Sequence, residues 1–134
     1  SPQDVLATPF EKLRSVGLSK QKASYIIDLA TKVADKTVDL QKLPSMSDEA
    51  VIEHLVQVKG IGRWTAEMIL IFSLGRLDVL PVDDLGVRKG FQKVYGMRGL
   101  PSSEQMKRMA AKWKPYRTIG AWYMWKAVDT KPPI

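Results

Sequence analysis

Two short stretches of the chain hold the residues whose types and spacing could do chemistry. Asp83 and Asp84 form a carboxylate pair just before a helical apolar pattern, and Gly60-Ile61-Gly62 lies between two such patterns. A carboxylate at a helix start can cap the helix or act in acid–base chemistry, and we interpret Asp83 as the cap. The Gly-x-Gly turn presents backbone N–H groups at a helix start, which suits a phosphate.

The elements that position these residues are predicted from the spacing of apolar side chains, which is helical almost throughout. We expect one all-α domain over residues 1–134, a compact bundle of about six helices. A helix-hairpin-helix is expected over about residues 48–74, and the helix after the carboxylate pair over about 83–95. Residues 40–47 are predicted to be an irregular connection, and no β alternation is sustained.

Composition limits the partners and the chemistry. The chain has 21 Lys and Arg against 14 Asp and Glu, which gives a net charge of +7 and a pI near 9.7. Such a charge balance favours a polyanionic binding partner, most commonly nucleic acid. A globular protein that is basic without such a partner is the alternative that stays open. No stretch approaches the roughly 20 apolar residues of a membrane span, so no membrane partner is expected. Zero cysteines exclude disulfides, thiolate zinc sites and iron–sulfur clusters.

At the hairpin and the carboxylate pair the chain resembles the helix-hairpin-helix DNA glycosylases, in particular the 3-methyladenine DNA glycosylase II (alkylbase) branch. The matching blocks are residues 58–66 (Val-Lys-Gly-Ile-Gly-Arg-Trp-Thr-Ala), 80–85 (Leu-Pro-Val-Asp-Asp-Leu) and a block that starts with 113–117 (Trp-Lys-Pro-Tyr-Arg) and runs to Trp125. The resemblance implies a hydrolase of base excision repair. It would cleave the N-glycosidic bond of alkylated purines, such as 3-methyladenine, in double-stranded DNA.

The same resemblance implies roles for particular residues. The family's essential carboxylate falls on Asp84, which would stabilise an oxocarbenium-like sugar or activate water. The pocket for the extruded base would be formed by Trp64 and Trp125, with Met68 one turn after Trp64. Contacts to the DNA backbone would come from the following five residues: Gly60, Gly62, Thr65, Lys59 and Arg63.

Two further expectations come from the resemblance. Bifunctional family members carry a lysine where this chain has Trp64, so we expect a monofunctional enzyme that leaves an abasic site. No cofactor is required, although the carbonyls of Val56, Val58 and Gly60 could hold a structural Na⁺ or K⁺. DNA repair would place the protein in the nucleus of a eukaryote, or in the cytoplasm and nucleoid of a prokaryote.

Family members have helices before the point that matches the start of this chain. The chain is therefore expected to be the C-terminal part of the family's catalytic core, with an apolar face left open for self-association. Two alternatives to an enzyme stay open: a non-enzymatic module that binds the DNA backbone, and a catalytically weak fragment that binds damage. Trp113 and Trp122 are interpreted as core residues, and His54 is given no catalytic role.

Overall fold

A computed structural model describes residues 1–128, in which helices joined by turns and loops form the secondary structure and no strand occurs. This confirms the all-α prediction. Its α-helices are α1 (Pro2–Ala7), α2 (Phe10–Ser15), α3 (Lys20–Ala34), α4 (Asp48–Leu55), α5 (Arg63–Phe72), α6 (Leu85–Tyr95), α7 (Ser103–Ala110) and α8 (Arg117–Ala127). Two 3₁₀-helices cover Leu40–Ser45 and Ala111–Trp113. In the described range no helix is long and apolar enough to cross a membrane.

The chain divides into two compact units, Ser1–Ala66 and Glu67–Ile134, and the division falls within α5. The first unit holds α1 to α4 and the first turn of α5, and the second holds the rest of α5 and α6 to α8. The expectation of a single domain over residues 1–134 stays a prediction, and residues 129–134 lie outside the described part of the chain.

In the first unit, α1 and α2 pack on α3. The sequence predicts α3 with Ser19 at its start, and the Ser19 hydroxyl accepts a hydrogen bond from the Lys22 N–H. Neither α1 nor α2 was predicted, because neither buries a residue fully. The expectation of an irregular connection over 40–47 was wrong. A 3₁₀-helix forms there because the Asp39 carboxylate accepts the Gln41 N–H and starts it.

The two helices of the hairpin are shorter than the predicted span of 48–74. The Ser47 hydroxyl accepts the Ala50 N–H and starts α4, and residues 56–62 form the turn before α5. At the other end, the N–H groups of Ser73 and Leu74 both donate to the Ile69 carbonyl. These two hydrogen bonds to one carbonyl tighten the last turn, so α5 ends at Phe72.

In the second unit, α6 packs closely on α8. Gly86 and Gly90 lie one turn apart on α6, and a Cβ at Gly90 would overlap the backbone of Met124 on α8. The absence of side chains at these two positions lets the helices approach one another. Phe91 and Trp125 are among the fully buried side chains of this unit.

Candidate active site

Asp84 is the N-cap of α6. Its backbone is extended (φ −76°, ψ 120°), and its Oδ2 accepts a hydrogen bond of 2.9 Å from the Val87 N–H. The helix therefore begins at Leu85, two residues later than expected. The interpretation of Asp83 as the cap was wrong, because the Asp83 side chain is half exposed and lies 3.8 Å from Arg88 Nη2.

A second donor reaches the same carboxylate oxygen. The Nε1–H of Trp125, on α8, donates to Asp84 Oδ2 over 2.7 Å. Asp84 is 6% exposed and Trp125 is 1% exposed, so this bond lies in a buried environment. Gly86 leaves the room for it, since a Cβ there would lie 2.8 Å from Trp125 Cδ1. The carboxylate is thus fixed in orientation by one donor from each of two helices and by the positive end of α6.

The loop that leads to Asp84 is fastened to the start of α8. Thr118 Oγ1 donates to the Arg76 carbonyl and accepts the Val79 N–H, both over 2.8 Å. Asp78 accepts hydrogen bonds from the Arg117 backbone N–H (3.1 Å) and from its guanidinium (2.8 and 3.1 Å). The Arg117 guanidinium holds the pKa of Asp78 below its usual range. These bonds join the segment before Asp84 to the helix that carries Trp125.

Aromatic rings adjoin Trp125 on the side of α5. Phe72 lies 5.9 Å from Trp125 and 5.5 Å from Trp122 between ring centroids, and Trp122 meets Trp125 edge to face at 5.8 Å. The interpretation of Trp122 as a core residue was wrong, because it is 44% exposed. Trp113 is half-buried, 5.3 Å from Phe91. The ring pairs are those expected of aromatic packing.

The expected base-pocket residues do not share one environment. Trp64, in the first unit, is 36% exposed, whereas Met68, in the second, is 5% exposed. Trp125 is buried with its N–H on Asp84. The pocket assignment of these three residues stays a prediction.

The hairpin turn depends on Gly60 and Asp28. Gly60 has a φ of +86°, and the Tyr25 ring occupies the space that a Cβ would need. The Lys59 N–H donates to Asp28 Oδ2 over 2.8 Å, and Lys32 Nζ lies 2.6 Å from the same carboxylate. Lys32 and, next, the Lys59 amide hold the pKa of Asp28 below its usual range.

Gly62 ends the turn and stands at the start of α5. Its carbonyl accepts the Ala66 N–H over 3.1 Å, and a Cβ there would meet nothing within 4 Å. Glycine offers no side-chain oxygen to the first turn of the helix, unlike Ser19, Ser47 or Asp84 at theirs. Gly62 is itself exposed, so an external acceptor such as a phosphate can approach its backbone.

The other expected phosphate contacts differ in what they touch. Lys59 is exposed and Thr65 is half-buried. Arg63 forms two hydrogen bonds with the Glu49 carboxylate, of 2.6 and 3.2 Å. An approaching phosphate would have to share the Arg63 guanidinium with Glu49. The backbone-binding role of all three stays a prediction.

Sequence analysis missed three residues of this site: Gly86, Arg88 and Asp78. A signal for Gly86 exists, because glycines four residues apart in a helix mark a close helix–helix approach. No local sequence pattern marks Arg88 or Asp78. Their hydrogen-bond partners lie in a loop or on other helices, so the contacts are visible only in the folded structure. In the described part of the chain, no three or more His, Cys, Asp or Glu side chains are grouped to hold a metal.

Known proteins resemble this chain in sequence and in fold. DNA-3-methyladenine glycosylase 1 of Schizosaccharomyces pombe is 38% identical, with 98% of this chain aligned to 60% of that protein. A solved DNA-3-methyladenine glycosidase from Bacillus halodurans superposes with a TM-score of 0.89 at 38% identity, over 97% of this chain and 60% of the other.

A further solved structure is a Schizosaccharomyces pombe 3-methyladenine DNA glycosylase in complex with abasic DNA. It gives a TM-score of 0.83 at 36% identity, over 94% of this chain and 62% of the other. The chain thus spans 60–62% of the length of these three relatives. Residues 1–115 match the family model described as HhH-GPD superfamily base excision DNA repair protein. The chain therefore belongs to the HhH-GPD superfamily of base excision DNA repair proteins.

Proposed function

We propose that this chain carries the catalytic centre of a DNA glycosylase that hydrolyses the N-glycosidic bond of alkylated purines, with Asp84 as the catalytic carboxylate. Family membership and the names of its relatives support the reaction class. The observation that carries the proposal is the fixation of Asp84 Oδ2 by the Val87 N–H and the Trp125 Nε1–H. A carboxylate held in this way needs no reorganisation when positive charge develops beside it.

The proposed reaction follows from the weakness of the bond in an alkylated base. An alkylated purine such as 3-methyladenine carries positive charge, so the glycosidic electron pair leaves with the base and the base becomes neutral. The sugar becomes oxocarbenium-like, and the Asp84 carboxylate stabilises that cation. Water then bonds to the sugar carbon and releases a proton, which Asp84 accepts or passes to solvent. The products are a free base and an abasic site.

The hairpin supplies the grip on DNA that extrusion of a base requires. The open backbone at Gly62 and the start of α5 suit one phosphate, and exposed Lys59 suits the same strand. Trp64 is exposed enough to offer an aromatic face to a cationic base, which is worth about 0.5–2 kcal/mol. Because tryptophan cannot form a Schiff base with the sugar, the proposed enzyme is monofunctional.

The hairpin carbonyls of Val56, Val58 and Gly60 are the proposed ligands of a structural Na⁺ or K⁺. The Val58 carbonyl accepts the Ile61 N–H over 3.1 Å, and its second lone pair remains available for a cation. The cation would rigidify the turn. Melting temperatures in potassium and in tetramethylammonium chloride at equal ionic strength test this proposal, which fails if the two agree.

Self-association is also proposed, through apolar side chains that α8 leaves exposed: Ile119, Trp122 and Tyr123. Sedimentation velocity across a hundredfold range of protein concentration tests it. A monomer at every concentration would contradict the proposal.

A second candidate function is binding to the DNA backbone without base release. The observation in its favour is that Asp84 is 6% exposed and already serves α6 as its cap, whereas the hairpin is accessible. Under this candidate Asp84 has a structural role alone, and the hairpin performs the whole function.

Release of 3-methyladenine and 7-methylguanine from methylated DNA separates the two candidates. Asp84→Asn keeps an oxygen that can accept the hydrogen bonds from Val87 and Trp125, removes the negative charge and replaces the other carboxylate oxygen with an NH2 donor. We expect it to slow base release by about 100-fold or more, while binding to undamaged DNA changes little. The control is Glu11→Gln, expected within about twofold of wild type because that carboxylate is exposed on α2 and has no part in the proposed site. Equal release by wild type and Asp84→Asn would remove Asp84 from the mechanism, and DNA binding with no release by wild type would favour the second candidate.

A further inference from the structure

Arg88 turns its side chain back toward the start of α6. Its Nε donates to the Val82 carbonyl over 2.5 Å, and its Nη2 donates to Ser103 Oγ over 3.1 Å. Nη2 also lies 3.8 Å from Asp83 Oδ1. One guanidinium thus joins the loop before Asp84 to the first residue of α7.

The same residue contacts the chain on both sides of Asp84. The Arg88 backbone N–H donates to the Asp84 carbonyl over 3.0 Å, and the Arg88 side chain holds the carbonyl of Val82, two residues earlier. A single residue therefore restrains the peptide unit between Val82 and Asp83 and the one between Asp84 and Leu85. The bonds from Val87 and Trp125 fix the carboxylate only as long as this backbone stays in place.

We propose that Arg88 is a positioning residue, which holds the Val82–Asp84 segment so that the Asp84 carboxylate points in one direction. This inference rests on the proposed function of Asp84. The planar guanidinium suits the task, because Nε and Nη2 donate along fixed directions to two acceptors at once. A lysine ammonium has no such fork and can hold Val82 or Ser103 but not both in the same way.

A merely structural role would give a different result. If Arg88 only joined α6 to α7, its loss would lower stability and leave the chemical step of the folded protein unchanged. A positioning role predicts that the chemical step slows while binding to an abasic product persists, because the hairpin makes the phosphate contacts.

The test compares Arg88→Met, Arg88→Lys and Ser103→Ala in the full chain. Two quantities are measured: the single-turnover rate of 3-methyladenine release, and hydrogen exchange of the Trp125 indole N–H by NMR. We expect Arg88→Met to slow release by about 10- to 100-fold, with abasic-DNA affinity within about threefold. The indole N–H should exchange at least about tenfold faster, since its acceptor is no longer held.

Arg88→Lys is expected to restore part of the rate, and Ser103→Ala to slow release by about two- to fivefold. These milder changes keep the test decisive if Arg88→Met does not fold. Wild-type release and wild-type indole exchange in all three variants would overturn the proposal. So would equal losses of rate and of abasic-DNA affinity. If wild type itself releases no base, the proposed function fails, while the indole exchange still decides whether Arg88 positions Asp84.

Discussion

At the scale of single residues, Gly86 stands where one methyl group would separate the carboxylate from the indole. An added Cβ would lie 3.1 Å from Trp125 Nε1 and 3.2 Å from Asp84 Oδ2. We expect Gly86→Ala to slow base release by about tenfold or more, because the methyl group displaces Trp125 from Asp84. The control is Gly99→Ala, since a Cβ at Gly99 meets nothing within 4 Å. Single-turnover assays measure both, and a wild-type rate in Gly86→Ala would show that the indole contact is dispensable.

Substitutions at the two hairpin glycines should affect stability and DNA binding to different degrees. Gly60→Ala places a side chain at a φ of +86° and against the Tyr25 ring, so we expect a loss of about 1–3 kcal/mol in the free energy of unfolding. Gly62→Ala faces open space and should change that free energy by less than about 1 kcal/mol.

In DNA binding, unlike in stability, Gly62→Ala should be the more affected of these two variants. In Gly62→Ala the added methyl group would lie where a phosphate approaches the backbone. The affinity of the folded variant for abasic DNA should therefore fall about tenfold. Urea denaturation and fluorescence anisotropy give the two quantities. A Gly62→Ala variant that binds as well as wild type would place the phosphate elsewhere.

At the scale of elements, the start of α8 depends on Asp78, which accepts the Arg117 backbone N–H as a cap would. The hydrogen bond from the Arg117 guanidinium lowers the pKa of Asp78 from its ordinary 3.8. A lowered folded-state pKa contributes stability that is present above the unfolded value and is lost as pH falls through the folded one. Asp78→Asn should therefore destabilise the protein by about 1 kcal/mol near neutral pH, and the difference should shrink below pH 3.8.

Urea unfolding at neutral pH and at a series of values below pH 3.8 measures this linkage. Glu53→Gln serves as the control, because that side chain is exposed. We expect it to change the free energy of unfolding by less than about 0.5 kcal/mol. A difference between wild type and Asp78→Asn that stays constant with pH would mean that the ion pair contributes nothing to stability.

Helices with a buried apolar face were predictable from the sequence, and those without one were not. The periodic patterns predicted the hairpin helices α4 and α5, and α6, with ends close to the observed ones. In α1 and α2 no residue is buried, so the pattern carried no signal, although the Ser1–Asp4 capping box was a local sign of α1.

The role proposed for Asp84 came from the family resemblance rather than from a local pattern, and it stays a prediction. The chemistry and the place in the chain of Asp84 were predicted, but not which carboxylate caps α6. That choice depends on contacts to Trp125 and on the loop held by Arg88, which no local pattern encodes. For the same reason, helical spacing could not distinguish buried Trp125 from exposed Trp122.

At the scale of the whole molecule, the positive charge is unevenly divided between the units. Residues 1–66, with the hairpin, contain nine Lys and Arg against eight Asp and Glu. Residues 67–128, with Asp84, contain eleven against five. The excess positive charge thus belongs almost entirely to the second unit, although the hairpin turn that is expected to bind phosphate, residues 56–62, belongs to the first.

This division predicts where the salt dependence of DNA binding originates. Lys107 and Lys112 are exposed on and just after α7, and each phosphate they neutralise adds about 0.9 to the slope of log K against log salt. We expect the Lys107→Gln/Lys112→Gln double variant to lower that slope by about 1–2. Lys20→Gln/Lys22→Gln, in the first unit, removes the same charge and should change the slope by less than about 0.5. Binding to undamaged duplex at several salt concentrations measures both slopes. If the two variants lower the slope equally, net charge alone determines the salt dependence and its distribution between the units does not.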